Sequence, residues 1–260
     1  MQLEFHQVDA FSERPFSGNP AMVYRLGAWL ADEQMQQIAA EHNLAETAFL
    51  VREGAGWHIR WFTPITEVAL CGHATLASAF VLFEVYGEQV DTIDFVCKSG
   101  ALSVSREADR LWLDFPARVP SEMDVTLEVE RALGTPVLEV RGANELFVVL
   151  ASEQAVRACT PDWAAVAKLP WPGVIVTAPG ERHDFVSRYF APAIGINEDP
   201  VTGSTHCALI PYWAQRLGKT GLTAYQCSSR GGELFCRLEG DRVKIGGQAT
   251  LVASGRLLLD

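Results

Sequence analysis

Two glycine turns of this chain are crowded with side chains that can hold or move a proton. Glu67 and His73 flank Gly72, and Glu198, Asp199, Ser204 and His206 flank Gly203. Each glycine opens an apolar, small-residue segment that ends at another glycine, Gly72 to Gly87 and Gly203 to Gly218. This predicts two helices of about four turns, each closed by its C-terminal glycine. A helix start offers unpaired N–H groups and the positive end of its dipole, which suits an anion. The pattern therefore predicts a small carboxylate held by Gly72, His73 and Ala74 on one side and by Gly203, Ser204 and Thr205 on the other, in a site between two domains. Taken singly, either turn reads as close helix packing with Ser204 as an N-cap. Polar side chains converging on both turns shift the balance, because they are costly to bury unless used or solvated.

One carboxylate stands apart. Glu46 lies among Leu44, Ala45, Ala48, Phe49 and Leu50, whereas the corresponding segment of the second half, Trp171-Pro172-Gly173-Val174-Ile175-Val176, carries no acid. Desolvation beside an apolar run raises a carboxyl pKa toward the range of a general acid/base. The competing reading is a strand-edge Glu in solvent.

The elements that must position these residues come in two copies. Arg60-Trp61-Phe62-Thr63-Pro64 returns as Arg188-Tyr189-Phe190-Ala191-Pro192, and the two glycine turns return in the same order. Gly18-Asn19-Pro20-Ala21 precedes Ala143-Asn144-Glu145-Leu146 at a similar offset, and the segment from Cys97 matches the one from Gln226. Such echoes indicate a duplicated α+β unit. In the first copy, apolar periodicity predicts strands at 3–8 and 21–24, a helix at 31–39, strands at 47–51 and 58–62, then the long helix. The second copy repeats that order with a strand at 146–151, a helix at 161–168 and strands at 173–178 and 185–190. No alternating β-α-β run supports a parallel Rossmann sheet. Pro116 and Pro120 place the boundary between domains 1–115 and 116–249, with a closing strand, 250–260, expected to return to the first.

With 260 residues, 21 Lys+Arg against 32 Asp+Glu and a net charge of −11, a nucleic-acid or anionic-membrane partner is excluded. Hydrophobic residues at 48% and charged residues at 20% describe a globular protein. No apolar run reaches the roughly 20 residues of a membrane span and no secretion signal is evident, so the expected location is the cytoplasm. The six cysteines form no C-x-x-C pair and read as reduced, mostly buried thiols. Neither Cys71/His73 nor His206/Cys207 has the spacing of a zinc module, so no metal is expected.

Pro15-Phe16-Ser17-Gly18-Asn19-Pro20-Ala21, Glu46-Thr47-Ala48-Phe49, Leu70-Cys71-Gly72-His73-Ala74-Thr75 and Asp199-Pro200-Val201-Thr202-Gly203-Ser204-Thr205-His206 together resemble the phenazine-biosynthesis PhzF-like isomerase family. The resemblance spans nearly the whole chain. It implies two pseudo-symmetric domains similar to diaminopimelate epimerase, each a mixed sheet wrapped around a central helix. It further implies that Glu46 is the proton-transferring acid/base, with His73, Asp199 and Ser204 as polar partners and Gly72, Ala74, Gly203, Thr205 and Asn19 around the substrate. Related epimerases use one cysteine from each half; here the first position is Cys71 and the second Thr202, whose hydroxyl is too weak an acid to replace a thiolate. One-base isomerisation of a small unsaturated or cyclic carboxylic acid, without a cofactor and in a homodimer, is the expectation. A catalytically silent carboxylate-binding protein and a Cys71-dependent epimerase are the alternatives.

Overall fold

The structure is a computed structural model and describes residues 1–259. The chain divides into two compact units, Met1–Asp114 with the residues from Gly246 onward, and Phe115–Ile245.

The first unit contains β1 (Gln2–Ala10), β2 (Asn19–Leu26), α1 (Asp32–His42), β3 (Glu46–Glu53), β4 (Gly56–Phe62), β5 (Glu67–Val68), α2 (Gly72–Phe80), β6 (Thr92–Cys97), β7 (Gly100–Glu107) and β8 (Arg110–Pro116). β2 runs antiparallel to β1 and parallel to β3, β4 pairs antiparallel with β3 and β5 and parallel with β6, and β7 joins β6 to β8. α2 packs against β1, β2, β3 and β7. Every residue from Gly72 to Ala79 is buried. Glycine, alanine, serine and threonine fill most of that helix, so strands can approach it from several sides; a helix buried all round is the expected result. α1 is amphipathic instead, burying only Met35, Ile38 and Ala39, and it ends at Asn43 in the left-handed conformation, which asparagine tolerates.

The second unit contains β9 (Ser121–Glu122), α3 (Thr126–Leu133), β10 (Glu139–Gly142), β11 (Leu146–Val149), α4 (Glu153–Ala158), α5 (Trp163–Val166), β12 (Val174–Pro179), β13 (Phe185–Ala191), β14 (Ile196–Asp199), α6 (His206–Leu217), β15 (Gly221–Gln226), β16 (Gly232–Glu239) and β17 (Arg242–Gly247). Its pairings repeat those of the first: β11 parallel to β12, β13 antiparallel to β12 and β14 and parallel to β15, and β15 antiparallel to β16. α6 is the counterpart of α2, with His206–Ala214 buried. The internal repeat read from short echoes is thus a repeat of strand order and direction, and the fold is α+β with mixed sheets. β18 (Ala249–Leu258) lies antiparallel along the full length of β1.

Several elements differ from the sequence expectation. The helix opened by Gly72 leaves α geometry at Phe80 and continues as a π-helical turn, Val81–Val85. The second long helix starts at His206 rather than Gly203, because the amides of His206, Cys207 and Ala208 bond to the carbonyls three residues earlier, the tighter winding common at helix entries. The helix expected over 161–168 is only Trp163–Val166, begun by Asp162 Oδ1 accepting from Ala164 and Ala165. α3 and α4 were not expected. The return to the first unit begins at Gly246, before residue 250; a Cβ at Gly246 would lie 2.7 Å from the Trp112 ring and one at Gly247 2.4 Å from that of Phe11. Residue 260 of the expected closing strand lies outside the described residues. Among those residues no helix is long and apolar enough to cross a membrane.

Candidate active site

In the first unit the parallel pair β2 and β3 sets two polar side chains side by side. Asn19 is the first residue of β2, and Glu46, the first of β3, lies opposite Ala21. The opening turn of α2 brings His73 between them. His73 Nε2 is 3.2 Å from Glu46 Oε2, Nδ1 is 3.1 Å from Asn19 Nδ2, and the Cys71 thiol is 3.5 Å from the same Nδ1. Asn19 is fully buried and His73 is 4% exposed; the Glu46 side chain is 13% exposed, so it is not a strand-edge carboxylate in solvent. Nε2 and Oε2 approach off the line of a good hydrogen bond, leaving both buried atoms with bonding capacity to spare. Unsatisfied buried polar atoms are rare, and functional sites are among the places that retain them.

Burial works against a charged His73, and negative charge on Cys71 and Glu46 works for one, drawing its pKa upward. Burial, and then Glu46, push the Cys71 thiol up to about 11, so near neutrality the pull on His73 comes from Glu46. Glu46, Cys71 and His73 also offer a carboxylate, a thiol and an imidazole within 4.8 Å of one another, donors that zinc accepts. The carboxylate faces Nε2 and the thiol faces Nδ1, however, and a single ion can take only one ring nitrogen. The carboxylate and the thiol thus meet different nitrogens of the ring. No side chain caps α2, which leaves the Gly72 and His73 amides without intrahelical acceptors.

The second unit arranges its turn differently. Thr202 donates its hydroxyl to Asp199 Oδ2, and the Thr202 amide donates to Gln226 Oε1 at 2.8 Å. Gln226 Nε2 donates to the Asp199 carbonyl at 2.9 Å. The Thr205 hydroxyl and His206 Nδ1 both donate to the Thr202 carbonyl, and burial pushes the His206 pKa down to about 4. Asp199, Gly203 and Thr205 are buried, while Ser204 is half-buried. Sequence reasoning missed Gln226; only its position at the start of the segment echoing Cys97 marks it. The sheet register also locates the counterpart of Glu46: Leu146, which matches Ala21 in the repeat, lies opposite Val174. The second unit therefore has an apolar residue where the first has its acid.

Glu67 and Glu198, which crowd the two turns in the sequence, are held by the repeated arginines. Arg60 grips Glu67 through both carboxylate oxygens at 2.8 and 2.9 Å, and Arg188 grips Glu198 at 2.7 and 2.9 Å, the two-pronged pairing arginine favours. The Arg60 bonds hold Glu67 down at about 2, against its burial and with help from Lys98. A carboxyl with a depressed folded pKa stabilises fully above its ordinary value of 4.5 and loses that contribution as the pH falls through about 2. Glu67→Gln is therefore expected to lower the thermal midpoint at pH 7 by a few degrees and to differ progressively less from wild type below pH 4.5, as thermal melts across that range will show.

The sequence model described as "Phenazine biosynthesis-like protein" matches residues 8–255. An uncharacterized isomerase of Pseudomonas aeruginosa is 70% identical over 260 residues, covering all of both chains. The crystal structure of a PhzF-family phenazine biosynthesis protein from Enterococcus faecalis superimposes with a TM-score of 0.98 at 50% identity over all of both chains. A probable proline racemase from Agrobacterium radiobacter, at 10% identity, a TM-score of 0.71 and coverage of 99% of this chain and 93% of its own, shares the fold. The chain belongs to the PhzF-like family.

Proposed function

We propose that this protein is a cofactor-independent isomerase that moves a proton within a small unsaturated or cyclic carboxylic acid, with Glu46 as its single acid/base. The observation that carries this reading is the asymmetry of the acid: Glu46 is sheltered beside His73 in the first unit, and its counterpart is Val174. Neither residue at the two cysteine positions of related epimerases suits a second base. Thr202 spends its hydroxyl on Asp199, and the buried Cys71 thiol titrates at about 11, far above neutrality.

In the proposed reaction the Glu46 carboxylate takes a proton from a saturated carbon next to a conjugated system. The C–H electron pair forms a new C=C bond, the existing double bond shifts, and Glu46, whose carboxyl proton exchanges with solvent in the interval, delivers a proton to the far carbon. Atoms and electrons balance without an oxidant or second substrate. His73 and the free amides of the α2 start stabilise the negative charge that develops. The family description and isomerase-named relatives support this class, and the phenazine association favours a dihydro-hydroxyanthranilate-like acid as the first substrate to try.

The test is incubation in deuterated buffer with a dihydro analogue of 3-hydroxyanthranilate, read by NMR and mass spectrometry. One solvent deuteron at the carbon that gains hydrogen is expected, with turnover insensitive to thiol alkylation. Binding without exchange would mean a sequestering protein, and loss of exchange on alkylating Cys71 would mean a cysteine-dependent epimerase.

A further inference from the structure

The cluster around His73 holds one residue whose contribution the acid/base reading leaves open. Asn19 is fully buried, and its amide nitrogen lies 3.1 Å from His73 Nδ1. An amide N–H only donates, so a ring nitrogen facing it must accept and carries no proton. The Cys71 thiol, 3.5 Å from the same nitrogen, is a second donor aimed there. On the other side Nε2 faces the Glu46 carboxylate, an acceptor, so the ring proton belongs on Nε2.

Glu46 pulls for a second ring proton, and Asn19 resists it. A proton added at Nδ1 would set two donors against each other in a spot no water reaches, an arrangement that costs the desolvation of both. We propose that Asn19 is a positioning residue that keeps His73 Nδ1 bare, so that His73 stays neutral and presents Nε2–H to Glu46. An imidazolium at 3.2 Å would instead lock Glu46 into a buried ion pair and weaken it as a base. Among the described residues Glu46 from β3 and Cys71 at the entrance to α2 are the titratable groups acting on this ring, and Asn19 from β2 supplies the remaining polar contact. The role rests on Glu46 being the base of the proposed isomerisation.

The experiment is nitrogen-15 NMR of histidine side chains in the full chain, assigned with a His73→Gln variant and followed from pH 5 to 9, with Asn19→Asp beside wild type. Wild type is expected to show His73 with an unprotonated Nδ1 and a protonated Nε2 at neutral pH. In Asn19→Asp an acceptor faces Nδ1, the ring gains its second proton, and its titration moves up by at least about one pH unit. The acid limb of deuterium exchange then moves up with it, and kcat falls while KM holds. A wild-type His73 that carries its proton on Nδ1 at neutral pH overturns the assignment, even if the variant does not fold. So does an Asn19→Asp ring that titrates like wild type. The ring signals need no substrate: if they behave as expected while no exchange occurs, the isomerase reading fails and the role of Asn19 toward His73 stands.

Discussion

Glu46→Gln is expected to abolish measurable solvent exchange while leaving the protein folded. General acid/base groups contribute typically 10²–10⁴-fold, and with no second base to take over, the loss should fall at the upper end of that range. The fold should survive because glutamine matches the shape of the carboxylate and its carbonyl oxygen can face His73 Nε2–H from the same place. No ion pair needs to be broken if the ring is neutral. Thermal melts within about 2 °C of wild type, together with retained binding of 3-hydroxyanthranilate, would locate the loss in the chemical step. An exchange rate within tenfold of wild type would remove Glu46 from its role. His73→Gln separates the partner from the base: it should leave slow exchange, because the carboxylate remains.

The second large effect is on stability and begins one residue before Asn19. Gly18 has φ +69°, and a Cβ there would lie 2.1 Å from the Ala10 carbonyl oxygen and 2.9 Å from Ser12 Cβ. The nearest obstacle is the backbone of Ala10, the last residue of β1, so no rotamer change relieves it. Gly18→Ala is expected to cost about 3 kcal/mol or more, combining left-handed strain of about 1–2 kcal/mol with the displaced backbone. For a protein of this size that lowers the thermal midpoint by about 6–12 °C. Gly54 provides the control. Its φ is +59° and nothing lies within 4 Å of its Cβ position, so Gly54→Ala should lose only about 1–2 kcal/mol to the backbone term. Equal midpoints for the two variants would refute the steric argument. Because Gly18 leads directly into Asn19, its variant should also disturb the His73 ring signals, which Gly54→Ala should leave in place.

Much of this protein is legible in its residues because the informative patterns are local. Apolar alternation over a few residues locates β1, β3 and β4, and glycine at the ends of small-residue runs locates α2 and α6. Duplication makes the reading safer, since Arg60 and Arg188 each mark the same strand. What those arginines do was not legible: Glu67 and Glu198 read as site acids until the structure showed them gripped by the guanidiniums. The contact of Asn19 with His73 spans 54 positions, and Gln226 reaches the Thr202 amide from 24 positions away. Such contacts depend on sheet register, which a one-dimensional pattern does not encode. The start of α6 moved for a related reason, because carbonyls of the turn itself decide where its first amides bond.

The placement of β18 has a consequence for how the molecule is made. β1 is flanked by β2 and β18, and the latter pairs Leu258 with Gln2. A ribosome delivers β18 only after the whole of Phe115–Ile245 has been synthesised, so nascent β1 waits with one hydrogen-bonding edge open. The unit that starts later is continuous in the chain and is able to finish sooner. Contacts closed over such a span are slow to form, and an unpaired edge invites association with other chains. The half that carries Glu46 is thus the half that matures last, and newly made chains should acquire their chemistry only once the final strand has docked.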